Sequence, residues 1–268
     1  MIPTNEKTQK KSYIRYVITA YLTFWLMVLV LCGGASMVLH ASPLTMRWLS
    51  NLCAWSPTIV LFVLFSKLQP SNTKKAFFQK NFSGRLRPSI ILGCIGLVTG
   101  IFLLSAWFVS LWTKVSFSSM FSIGTYPIWL SVILSLCSGP TGEECGWRGY
   151  LRYELQDHFG FVKGNVLLGV IWAFWHTVLW FVDNEYTTGI ELVIYIIANV
   201  IVMTALNMIM AIVLERENNL FYAVLIHFCF NLPYCFLLSG IEFYVVMSIL
   251  YFAAATVLVL LRKKYITT

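Results

Sequence analysis

Two adjacent acids, Glu143 and Glu144, close a long apolar run in Gly142-Glu143-Glu144-Cys145-Gly146-Trp147-Arg148. A carboxylate at membrane depth costs roughly 3 kcal/mol even on lenient scales, so such acids point to a functional site. Glu144 and Arg148 are four residues apart and share a helix face, where they can pair. Glu143 points about 100° away on a helix and is left free for chemistry. Further along, His176 closes Trp172-Ala173-Phe174-Trp175-His176, and His227 and Asn231 stand four apart in Ile226-His227-Phe228-Cys229-Phe230-Asn231. That last spacing projects both side chains from one face. A free carboxylate, two imidazoles and an amide are enough polar groups to build an active site inside a membrane.

Positioning them requires a polytopic helical protein. The chain has 268 residues, 59% hydrophobic and 11% charged, a balance foreign to soluble domains of this length. Crossing about 30 Å of hydrocarbon takes roughly 20 helical residues. Eight spans can be read on that basis, at 14–38, 46–66, 89–113, 126–142, 163–182, 190–214, 220–239 and 241–261. Counted from Asn165 and Leu220, His176 and Asn231 reach a similar depth, roughly 16 Å in, with His227 about a turn shallower. Three helices can therefore converge on one all-α, single-domain cavity in the bundle core, with its main elements at 126–239.

Basic residues collect on the cytoplasmic side of membrane proteins. With both termini inside, Lys7, Lys10, Lys11, Arg15, Lys67 and Lys74 through Arg87 are cytoplasmic, as are Arg148, Arg152, Lys163, Arg216 and Arg262 to Lys264. Arg47 and Lys114 are left outside, beside an outer loop carrying Asp183, Glu185 and Glu191. The net charge of +8 is then a signal of topology and of attraction to anionic headgroups, and nucleic-acid binding is a poor reading because no module gathers the basic residues. The first span is too long for the apolar core of a signal peptide and reads as a retained anchor. Seven cysteines without paired spacing read as buried small hydrophobes.

Ser138-Gly139-Pro140-Thr141-Gly142 should break span four, with a new helix capped by Thr141 and both acids in its first turn. A broken helix at membrane depth is tolerated where protein or a water-filled cavity covers it, which makes the acidic pair a cavity wall. The following Tyr150, Leu151, Leu155 and Phe159 alternate with charges as an amphipathic interfacial helix would.

Taken in order, the three groups resemble the CPBP intramembrane proteases, the Abi family that includes the CAAX prenyl endopeptidases. That family carries EExxxR, FxxxH and HxxxN on successive core helices, matched here by Glu143 to Arg148, Trp172 to His176 and His227 to Asn231. Trp172 replaces the usual phenylalanine and bears on pocket shape more than on chemistry. The resemblance implies peptide-bond hydrolysis within the plasma membrane. Glu143 is then the general base, His176 helps to hold the attacking water, and His227 and Asn231 donate to the oxyanion. Glu144 and Arg148 have a supporting role. The favoured mechanism uses no cofactor. The zinc alternative uses Glu143, His176 and His227, against which stand the absence of HExxH and of an evident carboxylate partner for either histidine.

The implied partners are the bilayer and a membrane-associated or lipidated peptide, either CAAX-type or of the bacteriocin and signalling-peptide kind, reached through a cavity open to the cytoplasmic half. The rival reading is a non-catalytic immunity or scaffold protein on the same fold. A transporter is a third, weakened by the single helix break. Cys145 reads as packing, His40 and His158 as solvated, and Trp147, Trp172, Trp175 and Trp180 as packing or groove residues.

Overall fold

In hydrocarbon every backbone amide must be satisfied within the protein, and these apolar runs do so as helices. The computed structural model describes residues 6–182, 188–238 and 240–266. Asp183 and Glu185 of the expected outer loop lie outside the described residues. Among the described residues there is no strand, only two isolated bridges, Phe82 with Asn219 and Phe121 with Leu237.

Five stretches are long and apolar enough to cross a membrane unaided. The first is α1 (Glu6–Met27), prolonged through a π-turn at Val28–Cys32 and the short helix Gly33–Met37. The expected second span is divided, α2 (Pro43–Ala54) meeting α3 (Ser56–Val63) at Trp55, where Pro57 opens the new helix without losing an amide bond. The unbroken α4 (Pro88–Thr113) follows.

The expected fourth span is α5 (Ile128–Cys137) and then α6 (Gly139–Gly146), which runs on through a π-turn at Trp147–Leu151 into α7 (Arg152–Phe159). Next come α8 (Phe161–Trp175) with α9 (Thr177–Val182), and the long α10 (Gly189–Glu217). The short α11 (Phe221–Asn231) passes into a 3₁₀ turn at Leu232–Phe236, and α12 (Ile241–Ile266) is the last helix.

The break between α5 and α6 falls at Ser138, as the sequence leads one to expect, but its details differ. Helix α6 begins at Gly139, so Glu143 and Glu144 sit in its second turn. Thr141 does not cap it; its hydroxyl donates to the carbonyl of Leu136 at 2.8 Å. The carbonyls orphaned at the end of α5 are covered by α2 and the residue after it. Trp55 Nε1 donates to Cys137 O at 2.9 Å, and Asn51 Nδ2 donates to Leu134 O at 2.9 Å. Gly142 lets this cover close, since a Cβ there would lie 2.7 Å from the Trp55 ring.

The two ends of the bundle differ in charge. At one end the 80–87 segment is laced to the α10–α11 turn. Gly84 N donates to Asn218 O at 3.1 Å, Leu220 N donates to Asn81 O at 2.8 Å, and Arg87 pairs with Glu217 at 3.3 Å. Lys67, Lys74, Lys75, Lys80, Arg85, Arg152, Lys163, Arg216 and Arg262 cluster on the loops and helix ends of this pole. At the other end Ser122 N donates to Phe236 O and Leu238 N to Met120 O, both at 2.8 Å, and the basic residues of this pole are Arg47 and Lys114. The bias predicts that Ile123→Cys, at a site 94% exposed on the second end, reacts with a membrane-impermeant maleimide on intact cells. Lys75→Cys should react only after permeabilisation, and the reverse pattern would invert the orientation.

Candidate active site

Glu143, His176, His227 and Asn231 line one cavity of about 290 Å³, walled also by Asn51, Trp172 and Tyr195. Three helices, α6, α8 and α11, supply the first four of these residues, and each is placed by a different local device.

Glu143 comes from the second turn of α6 and is 2% exposed. One oxygen, Oε2, accepts a 2.6 Å hydrogen bond from Trp172 Nε1. The other is turned towards Gly139 and His227, since a Cβ built on Gly139 would lie 2.6 Å from both Glu143 Oε1 and His227 Nε2. The glycine at the helix break thus keeps open the space between the acid and the imidazole.

Glu144 points elsewhere, as its spacing requires. Its Oε1 accepts from Arg148 Nη1 at 3.1 Å, the expected ion pair, and also from His227 Nδ1 at 2.6 Å. The sequence reading found no carboxylate for either histidine, and the structure corrects this for His227. The partner lies 83 positions away on another helix, beyond any local pattern. Because Nδ1 donates to Glu144, the imidazole is fixed with Nε2 towards Glu143.

His176 sits where α8 gives way to α9, its own amide bonded to Ala173 O at 3.1 Å. Its Nδ1 donates to the carbonyl of Trp172 at 2.8 Å, which in the neutral ring leaves Nε2 as an acceptor. Asn231, at the end of α11, is half-buried and makes no side-chain hydrogen bond to any described residue. Its amide is available to a ligand.

Sequence reasoning missed Asn207 and, for Trp172, saw pocket shape and packing but not its hydrogen bond. Trp172, fully buried, is more than a packing residue. Besides holding Glu143, its ring lies 3.8 Å from the Arg148 guanidinium carbon and edge-on to His227 with centroids 5.2 Å apart. Asn207, an amide inside the apolar run of α10, accepts from Arg148 Nε at 3.1 Å and donates to Asn165 O at 2.7 Å, locking the guanidinium in place. An asparagine in such a run was the available signal.

The aromatic wall behind the site is built by α1, where Trp175 stacks on Phe24 at 3.8 Å and donates to Ala20 O at 3.3 Å. Trp147 and Trp180 are buried, and Trp180 also lines the cavity. His40 and His158 are exposed, and all seven cysteines, Cys145 included, are free thiols. Among the described residues no three His, Cys, Asp or Glu side chains are arranged as a metal-holding group, the set Glu143, His176 and His227 included.

The cavity draws its walls from the halves of the helices nearer the second, weakly charged end, through Arg47, Tyr195, Tyr234 and Tyr244. None of the basic-end loops reaches it. The expected opening to the cytoplasmic half is therefore at odds with the charge-based orientation, which places the basic end in the cytoplasm.

Fold and site together define a multi-pass, all-α membrane protein with a buried carboxylate, imidazole and amide around a cavity of its own. Residues 124–233, which carry all three motifs, match the family model described as type II CAAX prenyl endopeptidase Rce1-like. The chain is also 27% identical over 224 residues to CAAX prenyl protease 2 of Methanococcus maripaludis, an alignment covering 78% of this chain and 79% of that protein. Both matches support the CPBP, or CAAX-protease, family that the three motifs resemble.

The Trp172 contact makes its own prediction. Trp172→Phe keeps an aromatic ring against Arg148 but removes the donor to Glu143, and should lower kcat by about tenfold with KM little changed. An unaltered kcat would show that Glu143 needs no such anchor.

Proposed function

We propose that the chain is an intramembrane endopeptidase that hydrolyses a peptide bond of a membrane-associated or lipid-modified peptide by glutamate-activated water, in the plasma membrane. The observation that carries this reading is the shared cavity. A carboxylate with one oxygen anchored and the other open faces a ring nitrogen and an unengaged amide across a space of molecular size.

Glu143 Oε1 takes a proton from water while the oxygen attacks the scissile carbonyl. His176 Nε2 accepts the water's second hydrogen and holds it in line. The carbonyl oxygen becomes an oxyanion that accepts from Asn231 Nδ2 and from His227 Nε2. Both ring nitrogens of His227 donate in this step, so the ring acts as imidazolium, with Glu144 balancing its charge. Preorganised donors of this kind are worth about 3 kcal/mol each in the transition state. The protonated Glu143 then delivers its proton to the departing amine, and the C–N bond breaks.

The match to CAAX prenyl proteases supports prenylated C-terminal peptides as one substrate class, and small bacteriocin-like or signalling peptides are the other. A quenched peptide library with prenylated and unmodified members tests both, using purified protein in detergent beside Glu143→Gln and with a chelator. Turnover that survives chelation and vanishes in the variant supports the glutamate mechanism. Loss on chelation with recovery by zinc would replace it with metal-assisted hydrolysis, and no variant-sensitive turnover would favour peptide binding or immunity without catalysis.

A further inference from the structure

Asn51 and Asn199 line the site cavity beside Asn231, and each is held in one defined orientation. Asn51 Nδ2 donates to Leu134 O at 2.9 Å, and Asn199 Nδ2 donates to Tyr195 O at 2.8 Å. A backbone carbonyl only accepts, so the atom facing it is the amide nitrogen in both side chains. Neither Oδ1 accepts a hydrogen bond from a described residue, and neither is sealed from the cavity, although Asn51 as a whole is 4% exposed.

Both acceptors stand near the level of the reacting groups. A Cβ on Gly142, the residue before Glu143, would be 3.0 Å from Ala54 O, and Asn51 is just under a turn earlier on α2. Helices α8 and α10 run antiparallel, since Asn165 O accepts from Asn207 while a Cβ on Gly169 would meet Thr204. That register puts Asn199 between the levels of Trp172, which holds Glu143, and His176. The cavity thus offers fixed acceptors from α2 and α10, while α11 brings the donors of His227 and Asn231. An extended peptide backbone presents N–H and C=O groups in alternation, and at membrane depth each N–H without a partner is costly. Amide oxygens accept from such groups without adding a charge beside Glu143.

We propose that Asn51 Oδ1 and Asn199 Oδ1 accept hydrogen bonds from two backbone N–H groups of the substrate in the residues flanking the scissile bond, holding that segment extended. This rests on the peptidase reading and adds to it two positioning residues that recognise backbone in place of side chains.

The test scans the best library substrate, replacing one flanking backbone N–H at a time by an ester oxygen and leaving the scissile amide intact. In the wild type, two positions should each lose about fivefold to tenfold in kcat/KM. Asn199→Ala should lower turnover of the parent peptide by a similar factor and cleave the ester at one of those positions as fast as the parent. Asn51→Ala should do the same at the other. A structural role alone would not pair one variant with one substrate atom. Asn51→Ala also uncaps Leu134 O, so thermal unfolding is followed beside the kinetics, and the second sensitive position in the wild type tests Asn51 without a variant. No sensitive position in the wild type, or ester penalties that persist unchanged in both variants, would overturn the proposal while leaving the peptidase intact. A penalty relieved by one variant only would strike the other residue from it. Absence of turnover on every peptide would overturn the peptidase reading and this inference with it.

Discussion

Glu143→Gln is expected to lower kcat by about a hundredfold to ten-thousandfold, the usual worth of a general base, with KM and folding little changed. The substitution is nearly isosteric in a pocket where the acid is 2% exposed, and its amide oxygen can still accept from Trp172 Nε1. What it loses is the capacity to take the proton from water. Removing a negative charge from a buried site costs the fold nothing that depends on that charge, since the neighbouring ion pair belongs to Glu144. Kinetics on the best library peptide, beside thermal unfolding in the same detergent, separate the two effects. Turnover within threefold of wild type would remove Glu143 from the reaction, whatever the geometry around it.

Local spacing made the candidate residues legible. Glu144 with Arg148, and His227 with Asn231, are four apart, so their shared faces follow from helical geometry alone, and the break at Ser138 follows from Gly139 and Pro140. Five of the eight expected spans fall on helical stretches long and apolar enough to cross a membrane, for the same reason that hydropathy works at all.

What local pattern could not carry was every contact between helices. The hydrogen bonds from Trp172 to Glu143 and from His227 to Glu144 join residues 29 and 83 positions apart, and they turn a packing residue and a structural ion pair into parts of the site. The break at Trp55 escaped notice because Trp55 looks apolar in sequence, while its indole N–H is what caps the orphan carbonyl of Cys137. The side on which the cavity opens depends on which halves of the helices splay apart, and hydrophobicity does not encode that.

Glu144 is the other residue whose loss should be large, and here stability and catalysis must be told apart. Glu144→Gln strips the charge from a carboxylate that serves two donors at once, Arg148 and His227, with Arg148 fully buried. A buried guanidinium without its counter-ion destabilises by about 3–5 kcal/mol. The Asn207 carbonyl and the Trp172 ring offset part of that through hydrogen bonding and cation–π attraction. Activity should fall by about a thousandfold or more, as when the carboxylate that orients a catalytic imidazole is lost elsewhere.

The double variant Glu144→Gln with Arg148→Met separates the two losses. Replacing the stranded cation by an apolar side chain of similar length should restore most of the stability, because a buried ion pair contributes little over well-packed hydrophobic residues. It should not restore turnover, because His227 still lacks the carboxylate that balances its charge while both ring nitrogens donate. If the double variant recovered activity together with stability, Glu144 would be only the partner of Arg148, and the oxyanion role of His227 would have to stand without it.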